Sequence, residues 1–286
     1  DNYEPECEIY KGVALLCYSR DLVKKASSCP NDYIIVLRDV EQRLRSSSYV
    51  NVMSINSKHP MSVLAHEFGH AFANLAEEYI PANIPRGSKN CVLDCDDFEG
   101  KEEGCFGGCS KNTYSRSIEQ GVMRSLKSED FGEFNEFIIV ERIDEEIGGG
   151  ITGSVIDEEI DCSREKYYFI EGSYSDGGIG INSRRVEVGC VGGNGYGDFQ
   201  YKIIMEDDSE IGQEEFNPEL IFTAAPNVEE GGVIDGEVFV TDKDFFLKVP
   251  IVDNSKELEI SDFNGDLLAS VNLYDIGGRL CLVDDV

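Results

Sequence analysis

Apolar and polar positions follow two different periods along this chain. From Met61 the apolar residues Val63, Leu64, Phe68, Phe72 and Leu75 recur at spacings of three and four. That is the period of one buried helix face, so a helix is expected from 61 until Pro81 and Pro85 stop it. Phe134, Phe137, Ile138 and Ile143 mark a second helix at 133–147, and 22–27 carries a weaker helical signal. Before the first long helix, residues 32–37 read DYIIVL, a β-branched run suited to a buried strand. Residues 50–56 read VNVMSIN, alternating as a half-exposed strand does, whereas 43–48 are polar. Residues 86–116 are rich in Gly, Asp, Asn and Cys with almost no aliphatics, which predicts a long loop that is functional, cross-linked or both.

After the three glycines at 148–150 the texture changes. Short β-type runs recur at 167–170, 186–188, 199–205, 220–223, 238–241, 245–249, 258–260 and 267–273, separated by Gly, Asn and Asp. Asn264-Gly265 is a strong two-residue hairpin signal. The expected fold is therefore α+β, with a mixed first domain at 1–148 and an antiparallel β-sandwich, of no assignable role, at 151–286.

Composition narrows the function classes. With 286 residues, 41% hydrophobic, the chain has ample material for a packed core. Its net charge of −31 repels phosphate backbones and argues against a nucleic-acid partner. No apolar run approaches the roughly 18 residues of a membrane span. Ten cysteines, an even and dispersed set, suit a disulfide-bonded protein that is secreted or at the cell surface. The start at Asp1, without Met, reads as a mature or trimmed form lacking its signal segment. Cys91, Cys95, Cys105 and Cys109 are expected to be disulfides stapling the long loop, with a four-thiolate zinc site as the alternative. Asp262, Asn264 and Asp266 alternate as in a calcium loop, but Leu273 stands where the closing acid belongs, so a hairpin turn is the better reading and Ca2+ only weakly supported.

The three histidines of the chain, His59, His66 and His70, fall within twelve residues. His66-Glu67-Phe68-Gly69-His70 places two imidazoles one helical turn apart, able to share one Zn2+ at about 2.0–2.1 Å. Glu67 then stands beside them as the base for a metal-activated water that attacks a carbonyl. A third ligand cannot be a later histidine; a carboxylate, tyrosine, cysteine or His59 must serve. Glu77 is the preferred candidate and Glu78 the alternative. Either requires the helix to end near residues 71–74, because unbroken helix would carry them roughly 10 Å away. His59, before Pro60, is expected in a structural role.

The segment HEFGHAFANLAEEY at 66–79 resembles the active-site segment of the IgA-peptidase family of zinc metallopeptidases, which carry HEFGHSF-x-x-L-x-DEY. YSRSIEQGVMR at 114–124 is similar to that family's Tyr…Met-Arg stretch. The resemblance covers roughly 32–140. It implies a metzincin-like peptidase domain, with His66, His70 and Glu77 holding zinc and Met123 in a methionine turn beneath it. Glu78 and Tyr79 fall at the family's closing Glu-Tyr. It also implies that 50–56 is a substrate-binding edge strand, with Val50, Val52 and Ser54 along an extended peptide. Tyr114 is the candidate for stabilising the oxyanion, with a packed loop tyrosine as the alternative. The chain departs from the family in Glu77, where the family has Asp, and in Ala73, where glycine is common. The expected function is a secreted zinc endopeptidase acting on protein or peptide. A silent secreted binding or adhesion protein, or a zinc amidase acting on cell-wall peptides, is the alternative.

Overall fold

The computed structural model describes residues 3–148, 161–227 and 233–273. In chain order, the first part holds β1 (Glu8–Tyr10), β2 (Ala14–Leu16), α1 (Arg20–Ala26), β3 (Ile34–Arg38), β4 (Ser46–Tyr49), β5 (Val52–Asn56), α2 (Ser62–Ala73), β6 (Phe106–Cys109), β7 (Lys111–Arg116) and α3 (Glu133–Gly148). The later part holds β8 (Lys166–Ser175), β9 (Gly178–Val188), β10 (Phe199–Met205), β11 (Glu210–Phe216), β12 (Leu220–Asn227), β13 (Val233–Val240), β14 (Asp244–Pro250), β15 (Ser255–Asp262) and β16 (Leu267–Asn272).

The chain is mostly β-sheet, gathered in several small sheets with three α-helices among the described residues. This overturns the expected metzincin-like α+β fold: α2 does not belong to a helical zinc domain but lies against β4, β5 and β12. The cause is non-local. Helical periodicity locates α2 and α3, but fold class is set by which distant strands pair, and no short window of sequence carries that information.

The sheet beneath α2 runs β13-β12-β4-β5-β3. β3 and β5 are parallel, and the other neighbours are antiparallel. Three of its members are β3–β5 and the other two come from beyond residue 219, so the segments expected as separate domains meet here, with β12 directly on β4. β4 reads SSSY and is wholly buried, although its sequence is polar. The hydroxyls make this possible: Ser47 Oγ donates to Leu15 O at 2.6 Å, and Ser46 Oγ accepts from the Asn56 amide at 3.0 Å. β3 is an edge strand, with Ile35 and Leu37 turned outward rather than buried.

Beyond it, the β11-β10-β15-β16 sheet and the β14-β8-β9 sheet share one apolar core that includes Tyr168, Ile170, Tyr201, Ile203, Leu247 and Leu258. Ile221 of β12 and Tyr49 of β4 reach into the same core, so the sheet beneath α2 is anchored to it.

Four disulfides form among the described residues: Cys7–Cys17, Cys91–Cys109, Cys95–Cys105 and Cys162–Cys190. The four loop thiols are thus paired with one another and not gathered around a metal. Cys281 lies outside the described residues. Among the described residues, no helix is long and apolar enough to cross a membrane. Both features are compatible with an extracellular protein.

Candidate metal centre

α2 delivers the two histidines because its apolar stripe packs on the sheet and on α3, which turns His66 and His70 inward. The helix stops at Ala73. Asn74 takes the left-handed conformation (φ 49°) that glycine would otherwise supply, and the amides of Asn74 and Leu75 close on the carbonyls of His70 and Gly69 at 3.1 Å. The chain then doubles back. Asn90 holds the returning segment: its Oδ1 accepts from the Ala76 amide at 2.7 Å and its Nδ2 donates to Ala76 O at 3.0 Å. Glu77 is thereby carried to the histidines.

His66, His70 and Glu77 form a buried group that can hold a metal ion, with one ligand atom of each within 4.8 Å of the others. His66 Nε2 and His70 Nε2 are 3.0 Å apart; Glu77 Oε2 is 3.4 Å from the first and Oε1 3.1 Å from the second. The far side of each ring fixes its tautomer. His66 Nδ1 lies 3.0 Å from Val122 O, and His70 Nδ1 lies 2.6 Å from Leu75 O. A carbonyl only accepts, so both Nδ1 atoms carry hydrogen and both Nε2 atoms of the neutral rings present lone pairs. Two lone pairs and a carboxylate therefore converge without a donor between them, and both Glu77 oxygens lack a hydrogen-bond partner. A cation satisfies all three. Without one, a proton must serve. Burial opposes the His66 charge, but Glu77 outweighs it and pushes His66 up to about 9. Burial likewise opposes the Glu77 charge, yet His70 and His66 hold its carboxyl at about 2. For His70 burial prevails, and its ring is driven down.

Glu67 is fully buried, and neither carboxylate oxygen has a well-formed hydrogen bond. Burial pushes it up to about 8, against the pull of His66 and of its nearest polar neighbours, Ser48 and the Ala224 backbone. Tyr79 has a buried hydroxyl without a partner, electrostatically coupled to Glu77 and Glu67. Gly236 of β13 leaves space for it, since a Cβ there would collide with the hydroxyl.

Glu78, the alternative ligand, turns the other way. Its Oε1 accepts from Asn135 Nδ2 at 2.8 Å and Asn90 Nδ2 at 3.3 Å, and burial pushes its carboxyl up to about 7. Met123 packs its sulphur against Gly69 in α2, where a Cβ would come within 2.7 Å of it; the preceding Val122 carbonyl is the atom that touches His66. Tyr114 is not brought to the centre: it sits on β7 against Ala76 and the Cys91–Cys109 pair. The disulfide cluster competes for its ring, and Tyr79, noted in the sequence only as part of a motif, is the tyrosine at the centre. His59 bonds Ser46 Oγ and Gln42 O, both at 3.0 Å, in a structural role. Asp262 spends its Oδ1 on the amides of Asn264 and Asp266, as the hairpin turn requires.

The expected substrate strand is corrected. β5 is flanked on both sides: Val52 pairs with Ile34 and Tyr49, and Ser54 with Val36 and Ser47. Val50 sits in the turn between β4 and β5 with φ 52°. With its hydrogen-bonding sides taken by β3 and β4, β5 cannot accept a peptide.

No family model, curated protein or solved structure matches this chain.

Proposed function

We propose that this protein is a zinc-dependent hydrolase of peptide bonds, acting outside the cell. The observation that carries the reading is the convergence of His66 Nε2, His70 Nε2 and Glu77 without a donor, next to a buried, unpartnered Glu67. The spacing suits an ion of zinc's size. Ligands at about 2.0–2.1 Å around one tetrahedral ion stand about 3.3 Å apart, and the separations here are 3.0, 3.1 and 3.4 Å. The nitrogen and carboxylate donor set suits the same ion. The likeness of 66–79 and 114–124 to the IgA-peptidase family adds support at the level of the site, and the disulfides support an oxidising compartment.

Zinc, when bound, polarises a carbonyl and acidifies water. The chain's own residues do the rest. Glu67, held in a dry environment that raises its basicity, takes a proton from water at a carboxylate oxygen and returns it to the leaving amine. Tyr79 supplies a hydroxyl donor for the negative charge that develops on the carbonyl oxygen. The Val122 and Leu75 carbonyls keep both rings in the tautomer that ligation needs.

The test measures bound zinc, then compares the parent with Glu67→Gln on a diverse peptide mixture. The parent is expected to cleave and to stop with chelator. The variant should keep its zinc and lose on the order of 10³-fold or more in rate. Equal silence of both with zinc bound supports a second reading, a non-catalytic binding protein with a structural ion. The complete burial of His66, Glu67 and Glu77 is the observation that favours it.

A further inference from the structure

A hydrolytic centre needs a path for substrate, and here the described residues close over the candidate ligands. His66, Glu67 and Glu77 are fully buried. The cavity beside His70, bounded by Ser48, Val50, Tyr196 and Phe222, measures about 10 Å³, about enough for a single water. A wider cleft of about 230 Å³, lined by Arg86, Lys111 and Glu219, touches none of the ligands.

One strand, β12, is among the elements that close the centre. Phe222 of β12 stacks on the His70 ring, centroid to centroid 4.1 Å at 16°. The Ala224 backbone and Ser48 of β4 face Glu67. β12 reaches this position by adding antiparallel to β4, pairing Phe222, Thr223 and Ala224 with Ser48, Ser47 and Ser46. An extended backbone added to a strand beside the candidate ligands is how a peptide binds by strand addition.

Resting on the hydrolase reading, we infer that β12 is a built-in occupant of the peptide groove, and that the β12–β13 hairpin holds the enzyme latent. The hairpin is fastened from outside the centre. Arg45, just before β4, pairs with Asp235 at 2.8 Å and Glu237 at 3.2 Å, both on β13. Asn83 Nδ2 donates to Val238 O at 3.2 Å, and Val233 bridges to Ser125. Three residue pairs join β12 to β4, against eight between β12 and β13, so β4 is the weaker of the two seams of β12, although Ile221 keeps the strand tied to the main core.

The experiment loads the full chain with zinc and follows three signals: zinc release to excess chelator, amide exchange at 222–224, and peptide cleavage. Arg45→Glu turns both attractions into repulsions. It is expected to speed zinc release and exchange by about tenfold and to raise cleavage in proportion. Ser47→Cys with Thr223→Cys, directly paired positions, is expected to cross-link β12 to β4, slow release by at least about tenfold and stop cleavage, while either single cysteine variant leaves both unchanged. Where that pair does not fold, Asp235→Asn with Glu237→Gln supplies a milder opening, with the same direction as Arg45→Glu. Release unchanged in these variants overturns the occupant inference, whatever the activity. Release altered as expected, with no peptide cut by any variant, overturns the hydrolase reading and latency with it, leaving β12 as a cover over a structural ion.

Discussion

Two of the buried polar clusters among the described residues are built on opposite principles. Around Lys248, which is fully buried in β14, donors meet acceptors: Nζ donates to Asn31 Oδ1 at 3.2 Å and Asn31 O at 3.3 Å, and Asn194 brackets the Lys248 backbone. Around His66, His70 and Glu77, acceptors meet acceptors, and Glu67 and Tyr79 add oxygens with no hydrogen-bond partner. Burial is the same in both. The match of donors to acceptors differs, and it is the mismatch that marks a place built for something the polypeptide does not itself provide.

The largest effect that sharpens this contrast is on metal-linked stability. At free zinc a thousand times its dissociation constant, the parent is expected to gain about 4 kcal/mol over the metal-free form, roughly 8 °C in thermal midpoint. Glu77→Gln, weakening zinc by about 100-fold, should retain about a third of that gain. A full zinc-dependent shift in the variant, read by scanning calorimetry, breaks the assignment of Glu77.

The next effect belongs to the satisfied cluster. Burial lowers Lys248 to about 8, against the nearby charges of Asp32 and Glu214. Below that pH both folded and unfolded states carry the proton and the desolvation penalty is fully present. Between about 8 and the ordinary lysine range the unfolded chain binds more protons, so stability rises with pH. Relative to Lys248→Met, the parent should gain on the order of 3 kcal/mol across that window. Parallel urea midpoints for the two proteins from pH 7.5 to 10 would contradict it.

The smallest effect is the most pointed. Glu78 adjoins Glu77 and is equally buried, but it accepts from Asn135 and Asn90. Glu78→Gln keeps that acceptor. It should cost less than about 1 kcal/mol and leave the zinc-induced shift intact. Loss of zinc binding here would mean that the two acids act as one group.

The sequence reveals what is local. The periodicity of 61–75 and 133–147 sits close to α2 and α3, and the spacing of His66 and His70 is a property of any helix. Asn264-Gly265 does join β15 to β16, with φ 82° at the glycine. What escapes is whatever depends on a distant partner. Ser46–Tyr49 reads as polar because the groups that satisfy its hydroxyls are supplied by Leu15 and Asn56. β11, EIGQEEF, buries only Phe216 and carries no apolar alternation. That Phe222 would lie on His70, about 150 residues earlier in the chain, has no signature in either segment. Tyr79 could have been singled out over Tyr114, because a segment that returns Glu77 to the histidines also returns its near neighbours.

The carbonyl of Glu77 is fastened from behind. Ser110 Oγ donates to it at 2.7 Å, and the sulphurs of Cys91 and Cys109 lie 3.8 and 4.0 Å away. The arm that presents the third ligand thus rests on an oxidised sulphur pair. Reducing Cys91–Cys109 is therefore expected to weaken the backing of Glu77 while leaving His66 and His70 in place on α2.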